Sequence, residues 1–169
     1  MEKVENLGRR NLFRGRVSKE NVLRLPWVIS EEVFTSNCDQ CQDCISVCET
    51  NIITRDSNGY PKVDFSKGEC TFCNKCNEVC EKPLFHQNKE SNPWPATISL
   101  LDKCLAKNQV FCQSCQDVCE TRAIKFGFVD TSIPQPNLNL DDCTSCGACI
   151  EVCPQSAIQF VDKEKRVYA

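Results

Sequence analysis

The chain has one histidine, His86, and no apolar run approaching the roughly 18 residues that a membrane-spanning helix requires. A soluble, cytoplasmic protein with no membrane span is expected. His86 sits in the polar stretch "HQNKESNPWP", where a surface residue is expected, and no Ser/His/Asp or paired-carboxylate arrangement stands out from an ordinary acidic surface. Catalysis by the protein's own side chains is therefore not expected. Ordinary core residues are scarce as well. The hydrophobic fraction is 41% with cysteine counted, and without it about three residues in ten remain, which is thin for 169 residues. Basic charge is scarce beyond the N-terminus: Lys3, Arg9, Arg10, Arg14, Arg16, Lys19 and Arg24 lie in the first 24 residues, while the whole chain carries a net charge of −3. An acidic body argues against nucleic acid as a partner. The first residues read as a basic arm, either a solvated tail or a docking segment for a partner. Arg9-Arg10 has the look of a twin-arginine export signal, but Arg14, Arg16, Lys19, Glu20 and Arg24 occupy the interval where an apolar core belongs.

Cysteine is what the chain has in abundance, with 16 in 169 residues. In a secreted protein that level would suggest a disulfide framework; in a reducing compartment, clustered thiols are metal ligands. They fall into four phrases: Cys38, Cys41, Cys44 and Cys48; Cys70, Cys73, Cys76 and Cys80; Cys104, Cys112, Cys115 and Cys119; and Cys143, Cys146, Cys149 and Cys153. The first, second and fourth read CxxCxxCxxxC, the bacterial ferredoxin pattern for [4Fe–4S] clusters. Thiolates at i, i+3 and i+6 allow a loop to curl around a compact cube, while the fourth opens a helical turn and projects the other way. Structural zinc fits less well, since it needs two separated CxxC pairs and not three cysteines in one loop. The third phrase departs from the pattern: Gln109 stands where the first cysteine belongs and Cys104 lies upstream, giving CxxxxxxxCxxCxxxC. Four [4Fe–4S] clusters are expected, or three if Cys104 is not a ligand. With so little ordinary core, the chain should be largely unfolded without metal.

The repeat extends beyond the thiols. Val47, Val79, Val118 and Val152 precede the fourth cysteines, and the apolar pairs Ile52-Ile53, Leu84-Phe85, Ala123-Ile124 and Ala157-Ile158 follow them as the starts of short strands. After Cys48, Ile52 to Arg55 and Lys62 to Phe65 read as strands around a reversal at Asn58-Gly59, and a similar pattern with a longer loop around Pro134 and Pro136 follows Cys119. The link between the second and third phrases is polar and broken by Pro93 and Pro95, which puts a boundary near residue 92. The expected fold is α+β: an N-terminal arm over 1–29, then tandem ferredoxin-like βαββαβ modules over 30–92 and 93–169, each with two clusters. In sequential pairing, Cys80 completes the first cluster and Cys48 the second, with Cys153 and Cys119 crossing over likewise. A nested pairing, first phrase with fourth and second with third, is the alternative.

The four phrases, the displaced Cys104, the Arg9-Arg10 arm without an export core and "LRLPW" ahead of the first phrase resemble the NapF family along essentially the whole chain. These are ferredoxin-type accessory proteins of the periplasmic nitrate reductase system. The resemblance implies a cytoplasmic protein that meets the precursor of the catalytic subunit before export and helps equip it with its iron–sulfur cluster. An electron carrier between redox enzymes uses the same sixteen thiolates and stands as the alternative. Trp27 reads either as a contact for the partner or as a lid over the first cluster.

Overall fold

The structure, a computed structural model, describes residues 22–87, 92–129, 131–162 and 167–168. Most of the expected arm, Arg9 and Arg10 included, lies outside them. Its last residues are packed into the body. Leu23, Arg24, Leu25, Pro26 and Trp27 are all buried, and the segment turns at Trp27, whose φ is +60°. The backbone there is fully engaged: the Val63 amide donates to the Leu23 carbonyl at 2.9 Å, the Trp27 amide to Pro93 at 2.7 Å, and the His86 amide to Trp27 at 2.8 Å. Val28 and Phe85 pair as an antiparallel bridge.

Arg24 anchors this segment, with its guanidinium stacked over the rings of Phe34 and Tyr60 at 5.1 and 5.7 Å. It forks onto Glu31 at 2.7 and 2.6 Å, donates to the Pro61 carbonyl at 2.9 Å, and meets Asp56 Oδ2 at 2.8 Å. Asp56 Oδ1 accepts from the amides of Asn58 and Tyr60, so the same carboxylate shapes the turn. Burial pushes the Asp56 carboxyl up, but Arg24 and the two amides outweigh it and hold it below the ordinary range.

Helix α1 (Glu31–Asn37) starts at Ser30, whose hydroxyl accepts from the Val33 amide, and carries Glu31 and Glu32 where the helix dipole favours anions. It buries Phe34. The remaining helices are single turns: α2 (Asp43–Ser46), α3 (Lys75–Glu78), α4 (Ser114–Asp117) and α5 (Ala148–Glu151). One turn is not stable by propensity alone, so packing must hold them. Each contains the third cysteine of a phrase and ends on the recurrent valine, Val47, Val79, Val118 or Val152. Three are entered through a left-handed residue, Gln42, Asn74 or Gly147; Gln113, in the irregular third phrase, has φ of −135° instead.

The strands pair antiparallel in three ladders: β1 (Ile53–Arg55) with β2 (Pro61–Val63), β4 (Ile124–Gly127) with β5 (Gln135–Leu138), and β3 (Ala96–Leu100) with β6 (Ile158–Asp162). The first hairpin lies where the sequence puts it, except that the return strand begins at Pro61 and ends at Val63. After the second phrase the expected strand shrinks to the Phe85 bridge. Chain direction explains this: three residues after Cys48, Cys119 and Cys153 stand Asn51, Arg122 and Ser156 with positive φ, whereas Pro83 holds the equivalent place and its ring forbids that conformation.

The link around residue 92 is less detached than its polarity suggests. Trp94, between the two prolines, is buried and its indole N–H donates to the Arg24 carbonyl at 2.8 Å. Its ring meets Phe65 at 5.5 Å, Phe72 at 6.0 Å and Phe160 at 5.9 Å, and Phe65 stacks on Phe160 at 5.0 Å. This aromatic cluster joins residues from both halves of the chain into one core. Trp27 sits at its edge, buried against Phe72 at 5.9 Å, which is the position of a core residue.

Candidate metal centres

Local geometry places three thiols of each phrase around a cavity, and the tertiary fold brings in the fourth. Cys38, Cys41 and Cys44 line the first cavity with Cys80. Cys70, Cys73 and Cys76 line the second with Cys48. The third is lined by Cys104, Cys112, Cys115 and Cys153, and the fourth by Cys143, Cys146, Cys149 and Cys119. The displaced Cys104 thus reaches the same place as its regular counterparts. All sixteen thiols are free.

Electrostatics groups them in the same way. Burial, then the neighbouring Cys38, Cys41 and Cys80, pushes the Cys44 thiol up to about 12. Burial followed by Cys104 and Cys112, with a smaller effect of Cys153, raises Cys115 to about 11. Cys70 rises to about 11 and Cys76 to about 12, burial again leading. Cys149 is raised by burial and by Cys146, Cys143, Cys115 and Cys119. Such thiols stay protonated on their own and release their protons to solvent as a cation binds, so binding is favoured as pH rises.

The donor set suits a multi-iron cube. Among the described residues no three His, Cys, Asp or Glu side chains are drawn together as a lone metal ion would require. The sulfurs line cavities instead, and all-thiolate donors in the spacing of these phrases fit iron–sulfur clusters. Hydroxyls stand beside several sulfurs: Thr50 Oγ1 at 3.7 Å from Cys48, Thr121 Oγ1 at 3.8 Å from Cys119, and Ser114 Oγ at 3.8 Å from Cys112. The Ala157 amide donates to Cys153 Sγ at 3.1 Å. These contacts escaped the sequence reading, although a signal was present: "VCET" occurs twice, at Cys48 and again at Cys119. His86 is exposed and lines none of the four cavities.

Comparison with known proteins gives the chemistry a family. The 4Fe-4S dicluster domain matches residues 37–83 and again 110–157. Over 151 residues the chain is 42% identical to the ferredoxin-type protein NapF of Escherichia coli (strain K12), covering 89% of this chain and 92% of that one. The chain belongs to the NapF family of ferredoxin-type proteins. A second NapF, from Haemophilus influenzae, is 40% identical over 170 residues, with 94% and 96% of the two chains covered. Similarity extends to the thiosulfate reductase electron transfer subunit PhsB of Salmonella typhi, 34% identical over 98 residues, 57% of this chain and 49% of that one. As a NapF-family member the protein is an iron–sulfur protein of electron transfer with [4Fe–4S] clusters as its cofactors. Among the described residues no helix is long and apolar enough to cross a membrane.

Proposed function

We propose that the protein is a cytoplasmic iron–sulfur accessory factor for the catalytic subunit of periplasmic nitrate reductase, acting on its precursor before export and not itself an enzyme. One [4Fe–4S] cluster would occupy each cavity, ligated by three cysteines of one phrase and the crossing fourth; Cys70, which also borders the fourth cavity, would ligate in the second. The observation that carries the cluster assignment is the crossing of Cys80, Cys48, Cys153 and Cys119 into the cavity of the neighbouring phrase. It favours sequential over nested pairing, and with the two inner hairpins and the outer Val28–Phe85 and β3–β6 pairings it supports tandem ferredoxin-like modules. A bound cluster would supply one electron at a time. The chain's own residues supply the thiolates, shield them to different degrees and place hydroxyls and an amide against sulfur, which sets the potential.

The nitrate reductase role rests on NapF-family membership together with the basic N-terminal residues, which give an acidic body one cationic segment for steering an encounter. Anaerobic pull-down with the full-length protein should capture the unmatured catalytic subunit, and loss of the protein should lower nitrate reductase activity without lowering the amount of catalytic polypeptide. Deleting residues 2 to 24 would also remove the packed Leu23 and Arg24, so deletion should stop at residue 21; capture should weaken with iron content unchanged. Failure of the full-length protein to capture the subunit would favour the electron-carrier reading. The similarity to an electron transfer subunit supports that second reading; its test is multiple-turnover reduction of an acceptor without stable capture.

A further inference from the structure

Among the described residues, only one of the four cysteine cavities is walled by both halves of the chain. The fourth, about 240 Å³, is lined by Cys143, Cys146 and Cys149 and, from the other half, by Cys70, Thr71 and Phe72. The first and second cavities are lined from the N-terminal half alone, and the third from the C-terminal half alone. At the seam the Cys70 amide donates to the Cys146 carbonyl at 2.8 Å, so two thiol-bearing loops are directly hydrogen-bonded. Gly147 makes the approach feasible: a Cβ there would lie 2.0 Å from the Phe65 ring, and its φ of +86° is one that side chains resist. Phe65 is in turn held by Trp94 and Phe160.

We infer that the Cys70–Cys146 seam is the electronic junction between the halves, so that the four sites run in space in the order first, second, fourth, third. This rests on the cluster reading above. Within each half the adjacent sites are also neighbours, since α2 packs against α3 and α4 against α5, the turns that carry their third cysteines. A one-electron exchange across the junction oxidises one site as it reduces the other, moves no proton and needs no further reactant. The first and third sites are then the termini at which electrons enter and leave, although the third is not last in the chain.

The test isolates the junction. In the full-length protein, Cys41→Ala and Cys44→Ala combined with Cys112→Ala and Cys115→Ala removes the first and third sites. Half the iron and sulfide should remain, and the reduced protein should show spin-coupled electron paramagnetic resonance, with loss of the isolated cluster lines. The mirror variant, Cys73→Ala and Cys76→Ala with Cys146→Ala and Cys149→Ala, keeps the first and third sites and should show two isolated signals. Isolated signals in the first variant, or equal coupling in the mirror, overturn the junction. A colourless unaltered protein would instead sink the cluster reading itself. If the multiple variants do not fold, Phe65→Ala, which removes no thiol, decides: its reduced signals should saturate at lower microwave power than those of the unaltered chain at equal iron content, and unchanged saturation overturns the inference.

Discussion

The two halves of the chain hold equivalent sets of thiols on different scaffolds. In the N-terminal half both phrases are regular, and closure relies on residues 22–29, one bridge at Val28–Phe85 and the buried ion network of Arg24. The C-terminal half closes with the five-residue ladder of β3 and β6 and has no equivalent of Arg24 among its described buried residues. It instead accommodates the long loop from Cys104 to Cys112. That loop has its own supports: Asn108 Nδ2 donates to the carbonyls of Asp102 and Cys104, Lys107 Nζ to Leu100, and Gln135 Nε2 to Ala106, whose side chain is fully buried. The loop leaves Val110 and Phe111 exposed next to Cys112. A thiol position can thus be conserved in space by different covalent routes, provided that the detour brings its own hydrogen bonds.

The largest effect should come from a treatment that both halves share. If thin cores make both depend on bound iron, anaerobic removal of iron should abolish the far-ultraviolet circular dichroism and the cooperative unfolding of the whole chain; structural metal sites contribute roughly 10 kcal/mol or more. A chain that stays cooperatively folded without iron would show that the aromatic core suffices.

Cys104→Ser separates the halves next. It should cost or convert one cluster of the C-terminal half while the others persist, read as iron and sulfide per chain and in the reduced spectrum. Unchanged iron would make Cys104 a spectator and break the equivalence of the two scaffolds.

Arg24→Met should act on the N-terminal half, leaving the Asp56 carboxylate buried without its countercharge at a cost of about 3–5 kcal/mol in denaturant unfolding. Because the Asp56 carboxyl is held below its ordinary value of 3.8, the stability it contributes is present above that pH and is lost as pH falls through the lower folded-state value. The stability gap between the unaltered protein and Asp56→Asn should accordingly be constant near neutrality and narrow only at the acidic end.

The smallest effect is expected where the halves are most alike. Thr50→Val and Thr121→Val each remove a hydroxyl beside a cysteine sulfur, and each should lower the potential of one cluster by a similar amount in a redox titration, because a hydrogen bond to sulfur stabilises the more negative reduced state. Unequal shifts would mean that solvent exposure, not the hydroxyl, dominates at one of them.

Spacing within each phrase and the recurrent valines made the four loops and their chemistry legible, because i, i+3 and i+6 contacts are local and depend on few residues. The first hairpin was legible for the same reason, within a residue or two at its ends, while in the second Pro136, read as loop, lies in β5 opposite Phe126. What lay outside local pattern was missed or left open. Leu23 and Leu25 read as the end of an arm, solvated or docking, and Trp94 as part of a polar link, since burial of an isolated apolar residue in an irregular segment leaves no periodic trace.

The sequence by itself determined the donor type, the number of thiol-bearing loops and the family, all properties of residues close together along the chain. Only the tertiary structure decided which cavity each fourth cysteine enters and that the second and fourth cavities meet at Cys70 and Cys146. Both nested and sequential pairings are compatible with the same local spacing. Long-range packing of Phe65, Trp94 and Phe160, with the space left by Gly147, brings the second and fourth phrases together.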